Sequence, residues 1–135
     1  MQKFGLIVVA TAFAAVPAFA APGPSPAAVA AYAKLHGDAA AGAKVFTQCK
    51  TCHVTTPGVN RIGPSLHAVV GRKAGIEPKY VYSTANKTSG ITWTEAKLFE
   101  YLEAPRTIVP GTKMSFAGLK NPQDRANVIA YLKTQ

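Results

Sequence analysis

Cys49 and Cys52 stand three residues apart, and His53 follows at once, in the order Cys49-Lys50-Thr51-Cys52-His53. A disulfide between cysteines this close would enclose too short a loop to restrain the unfolded chain much. The pair therefore needs another use. A redox dithiol of the thioredoxin kind requires the C-x-x-C beside a βαβ pattern, and none is present. A zinc site needs further ligands, and the only other histidines are His36 and His67. The remaining chemistry is haem attachment. Two thiols one helical turn apart can each form a thioether with a porphyrin vinyl group, and the adjacent imidazole can then reach the iron.

An iron held by one histidine leaves a sixth position. If filled, it favours electron transfer; if open, it admits gases or peroxide. The chain has two methionines, Met1 and Met114. Met114 sits in Pro110-Gly111-Thr112-Lys113-Met114, a glycine-containing loop beside a charge. Such a loop is a poor place for a core-filling thioether, so Met114 is expected to be the second ligand.

Three helices must position these groups. One is expected from Asp38, an N-cap, with Val45, Phe46 and Cys49 at helical spacing. A second should begin at Thr92, paired with Glu95 as a capping box, and stop at Pro105. A third should open at Asn121-Pro122 and carry Val128, Tyr131 and Leu132 inward. Between Cys52 and Thr92 the chain is rich in glycine and proline, with one short helix near Thr84–Thr88 and no strand pattern. The fold class is therefore all-α. A loop-rich middle of this length in a small domain implies that something other than protein fills the core.

The first 20 residues are set apart. Lys3 precedes an apolar run from Phe4 to Val16, and Ala18-Phe19-Ala20 offers small residues for cleavage, the order of a secretory signal peptide. The rival, a retained membrane anchor, would need roughly 20 apolar residues, and Pro17 ends the run early. Residues 21–34, rich in alanine and proline, are expected to form an extended tether, and 35–135 one domain. Export implies the periplasm. Without Lys3 the chain holds 14 basic and 6 acidic side chains, a net +8. Such charge suits acidic proteins or, weakly, an anionic membrane surface. Export argues against nucleic acid.

On these motifs the sequence resembles the class I c-type cytochromes, in particular the mitochondrial-like soluble forms of bacteria. The likeness runs from about Gly37 to Leu132. It rests on Gly42-Ala43-Lys44-Val45-Phe46, the C-x-x-C-H, Gly63-Pro64-Ser65-Leu66, Ala85-Asn86-Lys87, Gly90-Ile91-Thr92-Trp93 and Pro110-Gly111-Thr112-Lys113-Met114-Ser115-Phe116. The resemblance implies a small cytochrome c fold, with about three main helices, short helices and loops wrapped around one covalent haem c. His53 would be the proximal ligand, donating through its other nitrogen to the Pro64 carbonyl, and Met114 the distal one. Arg72, Tyr82 and Trp93 would bond the haem propionates, with Asn86 nearby. Tyr101 would set its hydroxyl near the Met114 sulfur, and Thr112 belongs to the same cofactor-binding set. Gly42 and Phe46 would pack on Val128 and Tyr131. His67 is expected at the surface, without a ligand role.

The function so implied is a single-electron carrier without turnover of its own, expected to be a monomer. Its partners would be acidic redox proteins: a cytochrome bc1-type complex, a terminal oxidase or reductase, or a dehydrogenase. They would dock near Lys44, Arg61, Arg106, Lys113 and Lys120. The chain departs from the family pattern where lysines are common, with Gln48 beside one such position and Thr107 at another. The alternative function is the electron-accepting subunit of a periplasmic dehydrogenase or other oxidoreductase.

Overall fold

The computed structural model describes residues 23–135, so the expected signal peptide lies outside the described residues. Among the described residues six α-helices follow one another: α1 (Pro26–Tyr32), α2 (Ala39–Val45), α3 (Thr84–Thr88), α4 (Glu95–Tyr101), α5 (Pro105–Ile108) and α6 (Pro122–Leu132). A 3-10 turn, Phe46–Gln48, extends α2 toward Cys49. The only β pairing among the described residues is an isolated bridge between Lys73 and Thr92. The fold is all-α, as expected.

Helix α2 starts where Asp38 accepts a hydrogen bond from the Ala41 amide at 2.7 Å. It crosses α6 at Gly42. A Cβ there would come within 2.6 Å of the Asn127 carbonyl carbon and 2.8 Å of the Tyr131 Cβ, so only glycine permits the approach. One turn on, the Phe46 and Tyr131 rings meet at 5.0 Å. The side chain of Asn127 accepts from the Asp38 amide at 2.9 Å and fixes the register of the crossing. Asn127 rather than Val128 thus meets Gly42, while Val128 turns into the core. Helix α6 begins as expected, with Asn121 as cap and Pro122 in the first turn, where its missing N–H costs nothing.

Two helix boundaries differ from expectation. The cap of α4 is Thr94, whose hydroxyl accepts from the Lys97 amide at 3.2 Å. Thr92 is drawn into the bridge with Lys73, and the Trp93 amide donates to the Arg72 carbonyl at 2.8 Å. That extended pairing holds the backbone out of helix for two more residues. Pro105 does not stop α4, which ends at Tyr101; it occupies the first turn of α5 instead.

The segment expected as an extended tether is also different. Residues 26–32 are helical, capped by Ser25, with Pro26 tolerated at the first position and alanines beyond it. Helix α1 docks on α4. Ala28 is buried, Tyr32 packs on Phe99 at 5.4 Å, and the Tyr32 hydroxyl donates to Glu95 Oε2 at 2.6 Å. The buried Lys97 ammonium pairs with Glu100 at 2.8 Å and also donates to the Gly23 carbonyl at 3.1 Å. Alternating prolines read as linker, but Ser25-Pro26 is a helix start followed by the best helix former.

Glu95 joins three elements, because Lys133, just past α6, reaches its Oε1 at 2.8 Å. The hydrogen bonds from Lys133 and Tyr32 hold its carboxyl below the usual carboxylate range. A depressed folded-state value stabilises the fold above the unfolded value and is lost as pH falls through the folded one. Stability should therefore drop below about pH 4.5 in part through Glu95. Because this carboxylate is about one third exposed, its share is a few tenths to about 1 kcal/mol. Urea unfolding from pH 7 down to pH 3 should show Glu95→Gln less stable than the native chain at neutrality and converging on it in acid.

Candidate cofactor site

The 3-10 turn after α2 carries Cys49, and the chain coils on so that the Cys52 and His53 amides donate to the Cys49 carbonyl at 3.0 and 2.9 Å. That local turn presents both thiols and the imidazole together. The next loop folds back, pinned by the Gly63 amide on the Cys52 carbonyl and the Leu66 amide on the Val54 carbonyl, each at 2.8 Å. Its Pro64 carbonyl lies 2.8 Å from His53 Nδ1. A carbonyl only accepts, so Nδ1 carries the proton and Nε2 keeps its lone pair. The ring rests on Gly63, where a Cβ would sit 2.6 Å from Nδ1 and 2.8 Å from Nε2. Burial, only partly offset by the Pro64 bond, lowers the imidazole below its ordinary value and keeps it neutral.

The thiols of Cys49 and Cys52 are not joined. Burial, then the neighbouring Cys52, pushes the Cys49 thiol up to about 11. A thiol–disulfide exchanger needs the opposite shift.

Met114 sits in the loop after α5, where Gly111 turns the backbone at φ 88°. The Met114 amide donates to the Thr112 hydroxyl at 3.2 Å, and the Tyr101 hydroxyl lies 3.7 Å from the Met114 sulfur as donor. Tyr101 is buried against Trp93 at 4.6 Å, and burial pushes its phenol up to about 12, so the proton stays on.

A cavity of about 700 Å³ lies between these groups. Cys49, Cys52, His53 and Pro64 line it together with Met114, Thr112 and Tyr101. Arg72, Tyr82, Asn86 and Trp93 line it as well. All eleven residues read from the sequence as cofactor-binding thus meet at one cavity. Val128 and Leu132 face it as expected inward residues, but most of its apolar wall, including Leu66, Val69, Leu98 and Phe116, was not read from the sequence as cofactor-lining. Sequence reasoning also missed Tyr80, which lines the cavity beside Tyr82 with rings at 4.7 Å. The i, i+2 spacing of Tyr80 and Tyr82 in extended chain was the available signal, since it sends both side chains to one face.

The family model for cytochrome c matches residues 39–135. The chain belongs to the cytochrome c family. Cytochrome c2 of Rhodomicrobium vannielii is 57% identical over 100 residues, 73% of this chain and 80% of that protein. Cytochrome c2 of Rhodopila globiformis is 54% identical, with 73% and 93% covered. Among solved structures, cytochrome cH from Methylobacterium extorquens superposes with a TM-score of 0.70 at 49% identity, over 73% of this chain and all of that one. These relatives support a class I c-type cytochrome and a haem-based electron carrier. Helix α1 precedes the residues that the family model matches.

The residues present fit a covalent haem. The volume lies within the ~300–1,000 Å³ typical of cofactor pockets. The walls are largely apolar side chains, while Asn86 Oδ1 is buried without a partner. An orphaned buried acceptor costs free energy unless a ligand or water meets it. One departure concerns Arg72. Its guanidinium donates to the Ser65 and His67 carbonyls and to Glu77, so three of its N–H groups already serve the protein.

The five basic positions named for docking are all exposed. Arg106 and Lys120 line a second cavity of about 290 Å³, and Ser115, Phe116 and Ala117 line both cavities. The Lys120 and Lys113 ammoniums donate to the Glu103 and Val81 carbonyls at 2.7 and 2.9 Å, which steadies them at the surface. His67 is exposed, as expected.

Gly63→Ala should force the His53 ring off its seat. In purified protein the variant should lose most of its low-spin haem absorbance while the native chain keeps it, measured by the Soret and α bands.

Proposed function

We propose that this protein is a periplasmic single-electron carrier with haem c bound through Cys49 and Cys52 and iron ligated by His53 Nε2 and Met114 Sδ. One observation carries the reading: both thiols, the neutral imidazole and the sole thioether of the described chain line a single apolar cavity. When bound, haem iron supplies one-electron redox chemistry, and histidine–methionine ligation raises its potential.

The chain's own residues serve that use by staying still. The Pro64 carbonyl and Gly63 hold the imidazole in one tautomer and one orientation. The Tyr101 phenol, protonated throughout the working range, donates toward the Met114 sulfur and restrains the loop. Trp93, Tyr82 and Asn86 set N–H and O–H donors and an acceptor into the polar part of the wall. Leu98, Phe116 and Leu132 exclude water from the rest. A site with both iron positions filled by protein has no place for a substrate, so we assign no enzymatic turnover.

The partners are acidic redox proteins: a cytochrome bc1-type complex, a terminal oxidase or reductase, or a dehydrogenase. The carrier is a monomer in this reading, and binds no nucleic acid. Lys44, Arg61, Arg106, Lys113 and Lys120 steer docking, and the shared rim at Ser115–Ala117 connects Arg106 and Lys120 to the cofactor cavity. Periplasmic placement follows from the leader-like residues 1–20.

Met114→Ala tests the ligand set. The ferrous variant should bind carbon monoxide within seconds and show a lower midpoint potential than the native protein. Unchanged spectra and no carbon monoxide binding would mean that another residue holds the sixth position.

A further inference from the structure

Arg72 lines the cofactor cavity, yet its charge is already matched inside the protein. Its Nη1 donates to Glu77 Oε2 at 2.5 Å and to the His67 carbonyl at 3.0 Å, while Nη2 donates to the Ser65 carbonyl at 2.8 Å. Both side chains are well covered, Arg72 at 14% and Glu77 at 9% exposure. Screening by salt is weak at such depth. The backbone holds the pair in place from both sides. The Arg72 amide donates to the Val69 carbonyl and its own carbonyl accepts from the Trp93 amide, while the Tyr80 amide caps the Glu77 carbonyl at 3.4 Å. Tyr82, on the cavity wall, senses both groups: burial raises its phenol most, a hydrogen bond to the Glu77 backbone and then the Arg72 charge lower it, and the Glu77 charge raises it.

From this we infer that Glu77 is a positioning residue that sets the reduction potential, by cancelling the Arg72 charge at the cavity wall and fixing its guanidinium. The inference rests on the cavity being the haem site. An uncompensated cation beside a redox centre favours the reduced state, because reduction adds one negative charge nearby. A carboxylate 2.5 Å from that cation cancels much of the effect. The lysines of the rim lie in solvent and are screened, so they do not substitute for it. Glu77 lies outside the cavity lining and touches Arg72 alone among the cavity residues by side-chain hydrogen bond. It therefore acts through Arg72 and not on the cofactor directly.

The test is an equilibrium redox titration of the haem-loaded full chain, native, Glu77→Gln and Glu77→Asp, at low and high ionic strength. Glu77→Gln should raise the equilibrium constant for taking an electron from a fixed donor roughly three- to tenfold, ~30–60 mV at 59 mV per decade. The rise should persist at high salt, and Glu77→Asp, which keeps the charge, should stay nearer the native value. If Glu77→Gln does not accumulate, Glu77→Ala should shift the potential in the same direction. An unchanged or lowered potential, or an equal shift in Gln and Asp variants, would overturn the assignment. A native chain that holds no haem would instead overturn the reading of the cavity, so the two failures are distinguishable.

Discussion

Helices α2 and α6 come from opposite ends of the described domain, and they meet where Gly42 presents no side chain to the Asn127 backbone. The rest of the site hangs on that contact. From α2 the chain runs through the 3-10 turn straight to Cys49, so the crossing decides where both thiols and His53 begin. From α6, Val128 and Leu132 form one wall of the cavity. Asn127 links the two helices through the Asp38 amide, and the Phe46 and Tyr131 rings meet at a tilt beside it. A larger residue at position 42 would push the walls apart, and close packing leaves little room to absorb such a change.

The loops of the middle region then need support from outside regular structure. They find it in backbone bonds between loops, in the Lys73–Thr92 bridge and in buried side chains such as Ser65, whose hydroxyl donates to the Thr56 carbonyl at 2.7 Å. A chain of this size with a cavity of about 700 Å³ in its centre buries little protein against protein there. A covalently held apolar body supplies what the polypeptide lacks. On the far side, α1 adds buried surface over α4 and encloses the Lys97–Glu100 pair. Helix α1 precedes the part matched by the family model.

Much of the site was legible because its chemistry constrains spacing. Thioether attachment demands two thiols one turn apart and a histidine next to them, and Met114, the one methionine of the described residues, is the thioether proposed as second ligand. Fold class followed from three capped, periodic segments, and Asp38, Asn121 and the Thr84–Thr88 helix stood where read. The misreadings share a cause. Thr92 and Thr94 are both good caps, and the choice between them depends on a bridge from Thr92 to Lys73, far back in the sequence. Alternating Pro and Ala describes a linker equally well as a short helix, and only docking on Tyr32, Phe99 and Glu95 selects the helix. The Arg72 partner was hidden likewise, since nothing local marks Glu77 as its counter-ion.

Covalent attachment at Cys49 and Cys52 is what the proposed function depends on most. It is tested by digesting the purified protein with a glutamate-specific protease after acid–acetone extraction and weighing the peptide that ends at Glu77 and contains both cysteines. With covalent attachment this peptide carries the mass of one haem, with no free thiol left, and the acetone phase is colourless. A colourless peptide with two free thiols, and haem recovered in the acetone, would contradict it.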